Sequence, residues 1–171
     1  MPNTPPLLTA EIIEPDEALP ADLVALRRFA HLMDAAFEIP GTKRRFGLDA
    51  AIGLIPGVGD AVGALFSSWI VIGALKHRVP FRHIVRMMAN IAVDVFVGAI
   101  PLAGDIFDFL WDENLTNLKL LLKHRNRQRP PRSFAAIASS IAVVLLLVLG
   151  MIVAAAALFI WLIVQVVEGR G

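Results

Sequence analysis

From residue 133 to residue 167 the chain carries no charged side chain. About 20 apolar residues suffice to cross a bilayer. As one straight helix this run would be about 50 Å long, against a hydrocarbon core of about 30 Å. Either one long helix tilts and projects, or the run bends near Gly150 into a shallow hairpin. Halves of about 16 residues are short for two full spans, which favours one helix. Trp161 falls where an interfacial aromatic belongs. The expectation is an all-α integral membrane protein with a C-terminal segment, 130–171, that crosses at about 133–167.

The flanks of this run are unequal. Lys119, Lys123, Arg125, Arg127, Arg129 and Arg132 precede it, and only Arg170 follows. Basic residues stay on the cytoplasmic side, so the rule puts the main body in the cytoplasm and the C-terminus outside the inner (plasma) membrane. Anionic lipid headgroups are the expected partner of the 119–132 cluster; its place beside the span argues against nucleic acid.

Composition agrees with a membrane setting. Hydrophobic residues make up 57% of the 171 residues and charged ones 18%, against roughly half and a quarter in soluble domains. Cysteine and tyrosine are both absent, which removes disulfides, thiolate chemistry and one common catalytic acid. The first residues lack the basic-then-apolar form of a cleaved signal peptide. Residues 1–21 are acidic and proline-punctuated, the composition of a disordered tail. From 22 to 38, Leu23, Leu26, Ala30, Met33 and Phe37 recur at helical spacing with Arg27, His31, Asp34 and Glu38 opposite. That pattern predicts an amphipathic helix ended by Pro40 and Gly41.

The region 22–129 reads as a repeat domain. Two apolar blocks, 46–75 and 84–111, are copies of one another. Sliding the sequence so that Asp49 meets Asp94 also aligns Gly53 with Gly98, Pro56 with Pro101, Gly59 with Gly104 and Asp60 with Asp105. The shared pattern is D-x3-G-x-I-P-x2-G-D, and a tandem repeat explains it. Each copy predicts helix, break, helix: proline disfavours helix at the residue before it, and the Asp after the second glycine stands where an N-cap belongs. Basic residues flank both blocks, so each is expected to enter and leave on the cytoplasmic side. They form either re-entrant hairpins or a helical domain packed against the membrane, with a slight preference for the embedded version. A basic amphipathic helix carrying Leu115, Leu118 and Leu122 follows.

The paired segments Gly53-Leu54-Ile55-Pro56-Gly57-Val58-Gly59-Asp60 and Gly98-Ala99-Ile100-Pro101-Leu102-Ala103-Gly104-Asp105 carry a resemblance. With Asn90 and Asp94 ahead of the second and Phe107-Asp108-Phe109 after it, the chain resembles the domain of unknown function numbered 4112. The likeness covers about 26–124 and implies a small, membrane-associated bacterial protein of no established activity. The family pattern continues with two asparagines, kept here as Asn114 and Asn117. The basic residues that accompany them there are replaced, which argues against phosphate binding by that stretch.

Several constellations invite chemistry. Asp49, Asp60, Asp94 and Asp105 are symmetric carboxylates that would line an ion path if they lay at membrane depth; the plainer reading makes them caps and turn supports. Asp105, Asp108 and Asp112 share a helix face near Asn90 and Asp94 and offer oxygen ligands to a hard cation, but no specific cation motif is present. The four histidines are scattered, and Ser67 and Ser68 lie inside an apolar helix, where serines hydrogen-bond between helices. Gly53, Gly57, Gly59 and Gly63 lack the lysine and the preceding strand of a phosphate loop, so a bend and close helix packing explain them better. The sequence therefore predicts a structural or regulatory membrane protein, non-enzymatic, without cofactor, capable of self-assembly. The alternative is an oligomeric ion or proton conduit built on the repeated aspartates.

Overall fold

The structure, a computed structural model, describes residues 19–38, 41, 45–48, 52, 59–100 and 111–169. The acidic tail up to residue 18 and the repeat residues Asp49, Gly53, Pro56, Pro101, Gly104, Asp105 and Asp108 lie outside the described residues. The elements are helix α1 (Ala21–Ala35), strands β1 (Phe37–Glu38) and β2 (Arg45–Phe46), then helices α2 (Gly59–Lys76), α3 (Phe81–Gly98), α4 (Glu113–His124) and α5 (Phe134–Glu168). Among the described residues the architecture is all-helical apart from one two-residue ladder.

Helix α1 buries Leu23, Leu26, Ala30 and Met33, the stripe its periodicity predicts. It stops at Ala35, before the expected end, and Phe37 is exposed rather than buried. Gly41, at φ +79°, turns the chain in a left-handed conformation suited to glycine. The strand that follows pairs Phe37 with Phe46 and Glu38 with Arg45, antiparallel. Gly47 then seats against α1 so closely that a Cβ would overlap the Met33 carbonyl.

Helix α2 is the centre of the fold. No charge interrupts it between Asp60 and Lys76, and it packs on α1, α3, α4 and α5. A helix apolar on so many sides needs cover over most of its surface, and here Leu65, Phe66 and Trp69 remain exposed. Gly73 admits α1 and α4 at close range, with Leu26 Cδ1 2.5 Å from where its Cβ would stand. Gly63 differs from the expectation of close packing, since nothing lies within 4 Å of its missing Cβ. Asp60, expected as an N-cap, follows the undescribed residues 53–58, and its side chain lies outside the described residues.

Helix α2 ends in a paired-bond cap. The Val79 amide donates to the Ala74 carbonyl (2.9 Å) and the Arg78 amide to the Leu75 carbonyl (3.3 Å). This geometry requires a left-handed residue between them, usually glycine; here Arg78 adopts it, at φ 59°. Its Nε donates to the Pro130 carbonyl (3.1 Å). Helix α3 buries Ile84, Met87, Ile91 and Val95 on one face and ends at Gly98, shortly before the Ile100-Pro101 step of the sequence.

Helix α5 is continuous over 35 residues, with no break at Gly150. Ser133 caps it, its hydroxyl oxygen accepting the Ala136 amide (3.2 Å). Ile137, Val144, Val148 and Ala155 are its buried positions, and it packs on α2 and α3. Its start is pinned to the end of α2: the Arg132 amide donates to the Lys76 carbonyl (2.8 Å), and Lys76 Nζ stands 5.2 Å over the Phe134 ring. Helices α1, α3 and α5 thus begin, and α2 and α4 end, at one basic end of the bundle.

Two glycine substitutions with opposite outcomes test this packing. Gly47→Ala should lose about 1–3 kcal/mol, because backbone must move to admit the methyl group. Gly63→Ala should gain about 0.5–1 kcal/mol from helix propensity alone. Denaturation midpoints by circular dichroism compare the two directly.

Candidate functional site

The apolar bundle contains one extended polar cluster, drawn from four helices. Asp34 on α1, Ser67 on α2, and Glu113, Asn114 and Asn117 on α4 are all buried, and Asn90 on α3 is partly so. Asn114 Nδ2 donates to Asp34 Oδ1 (2.8 Å), and the Leu115 amide donates to Asp34 Oδ2 (2.7 Å). The Ser67 hydroxyl meets Asn114 Oδ1 (2.8 Å) and Glu113 Oε2. Asn117 Nδ2 donates to Glu113 Oε1 and to the Met87 carbonyl (3.3 Å), while Asn117 Oδ1 accepts from Asn90 Nδ2 (2.8 Å). The result is one hydrogen-bonded chain, Asp34–Asn114–Ser67–Glu113–Asn117–Asn90, that ties α1, α2, α3 and α4 together.

Local sequence explains the arrangement. Glu113 and Asn117 stand one turn apart on α4, so they share a face, and Asn114 begins the next row. Asp34 follows Ala30 by one turn and continues the buried stripe of α1. Ser67 lies midway along α2 and turns its hydroxyl to α4, whereas that of its neighbour Ser68 donates to the Leu65 carbonyl of the same helix (2.6 Å). Each member satisfies a neighbour, which is what a buried polar group requires.

A second polar cluster closes the basic end. Asp22 Oδ2 accepts from Lys76 Nζ (2.6 Å) and lies 2.8 Å from His77 Nε2. Partial burial pushes the Asp22 carboxyl up, but the hydrogen bonds from Lys76 and His77 and their charges more than offset it, so its pKa is lowered. Nearby, the His83 and His124 rings stack at 3.6 Å, with Arg82 Nε donating to His83 Nε2 (3.1 Å). Desolvation, then Arg82 and Arg86, lower the His83 pKa; desolvation, then His83, Lys123, Arg82 and Arg86, lower that of His124.

Of the residues singled out in the sequence, the structure unites Asn90, Asn114 and Asn117. Of the four symmetric aspartates, Asp49, Asp105 and the Asp60 side chain lie outside the described residues, and Asp94 lies one turn beyond Asn90 on α3. Asp112 stands exposed at the start of α4. Gly59 and Gly98 are the first residue of α2 and the last of α3. Among the described residues no group of three His, Cys, Asp or Glu side chains could hold a metal.

Sequence reasoning missed Asp34 and Glu113. Asp34 reads as the polar face of α1, yet it borders the buried stripe and is 3% exposed. Glu113 gave a signal in retrospect: with Asn114 and Asn117 it sets three polar residues on the face that Leu118 and Leu121 continue into the core. Of the two serines expected to pack or hydrogen-bond between helices, Ser67 does bond across to α4, whereas the Ser68 hydroxyl donates within its own helix.

The profile of the domain of unknown function DUF4112 matches residues 22–125, more than half of the chain. The chain belongs to the DUF4112 family. No curated protein and no solved structure matches it. The matched DUF4112 region runs from Asp22, the partner of Lys76 and His77, to Arg125, just past His124. All six members of the buried polar chain lie within it. Helix α5 follows the domain and packs on it.

Two outcomes follow from these clusters. Asn117→Ala leaves Glu113, Asn90 and the Met87 carbonyl without a shared partner, and should cost about 3 kcal/mol of unfolding free energy, against about 1 kcal/mol for Asn90→Ala; chemical denaturation measures both. In NMR titrations both imidazoles should protonate below the ordinary histidine value of 6.5. Lowered histidine pKa values mean that the neutral ring is favoured in the fold, so the contact holds above that value and weakens as pH falls through it.

Proposed function

We propose that this DUF4112 protein is an integral inner-membrane protein of structural or regulatory, non-enzymatic role, with the bundle's basic end at the cytoplasmic face. The observation that carries this is the outward surface of α5. Leu146, Leu149, Val153, Ile160, Trp161 and Val167 are each more than half exposed along it, and no charge relieves the face. An exposed apolar strip of this length on a protein in water marks a surface that something else covers, and α5 is the one described helix long and apolar enough to cross a membrane.

The geometry also bears on how the bundle meets the bilayer. Helix α5 is buried against the bundle as far as Ala155. The remainder, to Glu168, is about 20 Å long, shorter than the hydrocarbon core of about 30 Å. If α5 spans, part of the bundle therefore shares the bilayer with it. Helix α2 supports that reading, since it is free of charge along its middle and exposes Leu65 and Trp69. Helices α1 and α4, which carry charged faces, pack mainly on α2 and on each other, and suit the watery side.

The basic end supports the orientation. The fold gathers Arg78, Arg82 and Arg86 of the α2–α3 region beside Lys123, Arg125 and Arg132, next to the start of α5. That collar is larger than the 119–132 cluster alone and suits anionic headgroups at the cytoplasmic surface.

The absence of native cysteine makes a topology experiment direct. Single substitutions Thr9→Cys, Val58→Cys, Ala103→Cys and Gly169→Cys are probed in intact cells with an impermeant thiol reagent, alongside carbonate extraction of membranes. Retention in the membrane pellet with labelling at position 169 alone is expected. Release by carbonate, or protection of position 169, rejects the span; outside labelling at 58 or 103 rejects the cytoplasmic orientation of the bundle.

A further inference from the structure

Positive charge at the basic end converges on two stacked rings. His83, in the first turn of α3, and His124, the last residue of α4, lie with ring centroids 3.6 Å apart and planes 11° from parallel. Both residues are half-buried, and exposed cations stand beside them. Arg82 and Arg86 flank His83 at helical spacing, so they share its side of α3, and Lys123 precedes His124. Among the described residues no ion pair engages Arg82, Arg86 or Lys123.

Local structure adds to this charge instead of relieving it. The first turn of α3 contains no acid, and no side chain caps it. The amides of a helix start carry partial positive charge and disfavour cations, yet Arg82 and His83 stand there. The elements packed on α3 and α4 bring Lys76, His77 and Arg78 from the end of α2, and Arg132 from just before α5. Helix α4 and its exit add Lys119 and Arg125. From α1 come Arg27, Arg28 and Asp22, the last with its carboxylate already held by Lys76 and His77. The charges that act on the two rings are Arg82 and Arg86 for His83, with His83 and Lys123 added for His124. All of these are basic groups. Such an array repels itself and focuses a field that attracts an anion.

The rings also hold a specific bond that a proton would break. Arg82 Nε donates to His83 Nε2 (3.1 Å). That nitrogen therefore accepts, so the ring is neutral and carries its hydrogen on Nδ1. Protonation at Nε2 turns the acceptor into a donor, and the Arg82 contact must open. Two charged rings held face to face would also repel each other. An anion seated among Arg82, Arg86 and Lys123 offsets both penalties, because it accepts charge-assisted bonds from the freed guanidinium and from the imidazolium.

We infer that the stacked pair His83–His124, framed by Arg82, Arg86 and Lys123, is a headgroup site for an anionic phospholipid, and that seating its phosphodiester takes up a proton. The adjacent start of α5 selects a lipid as the source of that phosphodiester. The inference rests on the basic end meeting the bilayer surface, as proposed above, and not on where α5 ends. A phosphodiester keeps its single charge from weak acid to weak base, so the pH dependence belongs to the protein. Linkage fixes its sign: binding that takes up a proton strengthens as pH falls.

Calorimetric titration of the full-length protein in maltoside micelles with dihexanoylphosphatidylglycerol tests this. Affinity should rise about tenfold from about pH 8 to about pH 5.5, the change expected if binding raises one histidine pKa by about one unit. Repeating the titration in buffers of different ionisation enthalpy reads proton uptake on the wild type alone. His83→Gln combined with His124→Gln should keep lipid binding and lose both its pH dependence and the proton uptake. Equal affinity at the two pH values, or binding without proton uptake, overturns the inference. So does a pH dependence that survives in the double variant with wild-type helix content; if that variant does not fold, proton uptake by the wild type decides. The chain-free headgroup, glycerophosphoglycerol, should bind more weakly, and equal affinity overturns the lipid as its source. Proton-linked lipid binding by a protein that carbonate releases rejects the span alone and leaves the site standing.

Discussion

The structure depends on covering α2. A helix without a charge between Asp60 and Lys76 cannot show more than one face to water, and here four other helices pack against it. Its burial organises the rest: α1 and α4 pack on each other as well as on it, and so do α3 and α5. Gly73 lets Leu26 and Leu121 approach its backbone, and Ala64, Ile70, Val71 and Ala74 complete the core. Apolar burial of this kind is non-directional. By itself it would permit several rotations of α2 among its neighbours.

Two polar attachments remove that freedom. Midway along α2, Ser67 bonds Glu113 and Asn114, which favours one rotation of α2 against α4. At the basic end, Lys76 and His77 meet Asp22 at the start of α1, and the carbonyls of the same two residues accept amides from Arg132 and Asn126. Hydrogen bonds contribute modestly in net terms but are costly to leave unmade, so they select among packings that hydrophobic burial alone would leave close in energy. The left-handed Arg78 belongs to the same attachment, since its cap turns the chain and its side chain reaches Pro130.

Much of the helical framework was legible. The stripe Leu23, Leu26, Ala30 and Met33 gave α1, the Ile-Pro step gave the end of α3, and Ser67 inside an apolar run gave an interhelical contact. Asp34 was not legible, because periodicity ranks a carboxylate as outward-facing and cannot see the Leu115 amide that receives it. Glu113 was overlooked for a related reason: an acid at the first turn of a helix already has a sufficient role in the helix dipole. Gly63 was assigned to close packing on composition alone, whereas the space around a glycine is a property of its neighbours.

The sequence by itself determined the all-helical class, the family, and a charge-free C-terminal helix too long and apolar to be left exposed to water, because these follow from local composition and period. Only the tertiary structure decided which polar residues meet. Asp34, Ser67, Asn90 and Glu113 come from four separate helices, and their hydrogen bonds exist only once α2 has been enclosed. Contacts between residues so far apart in the chain are set by how helices rotate and pack, and no local pattern encodes that rotation.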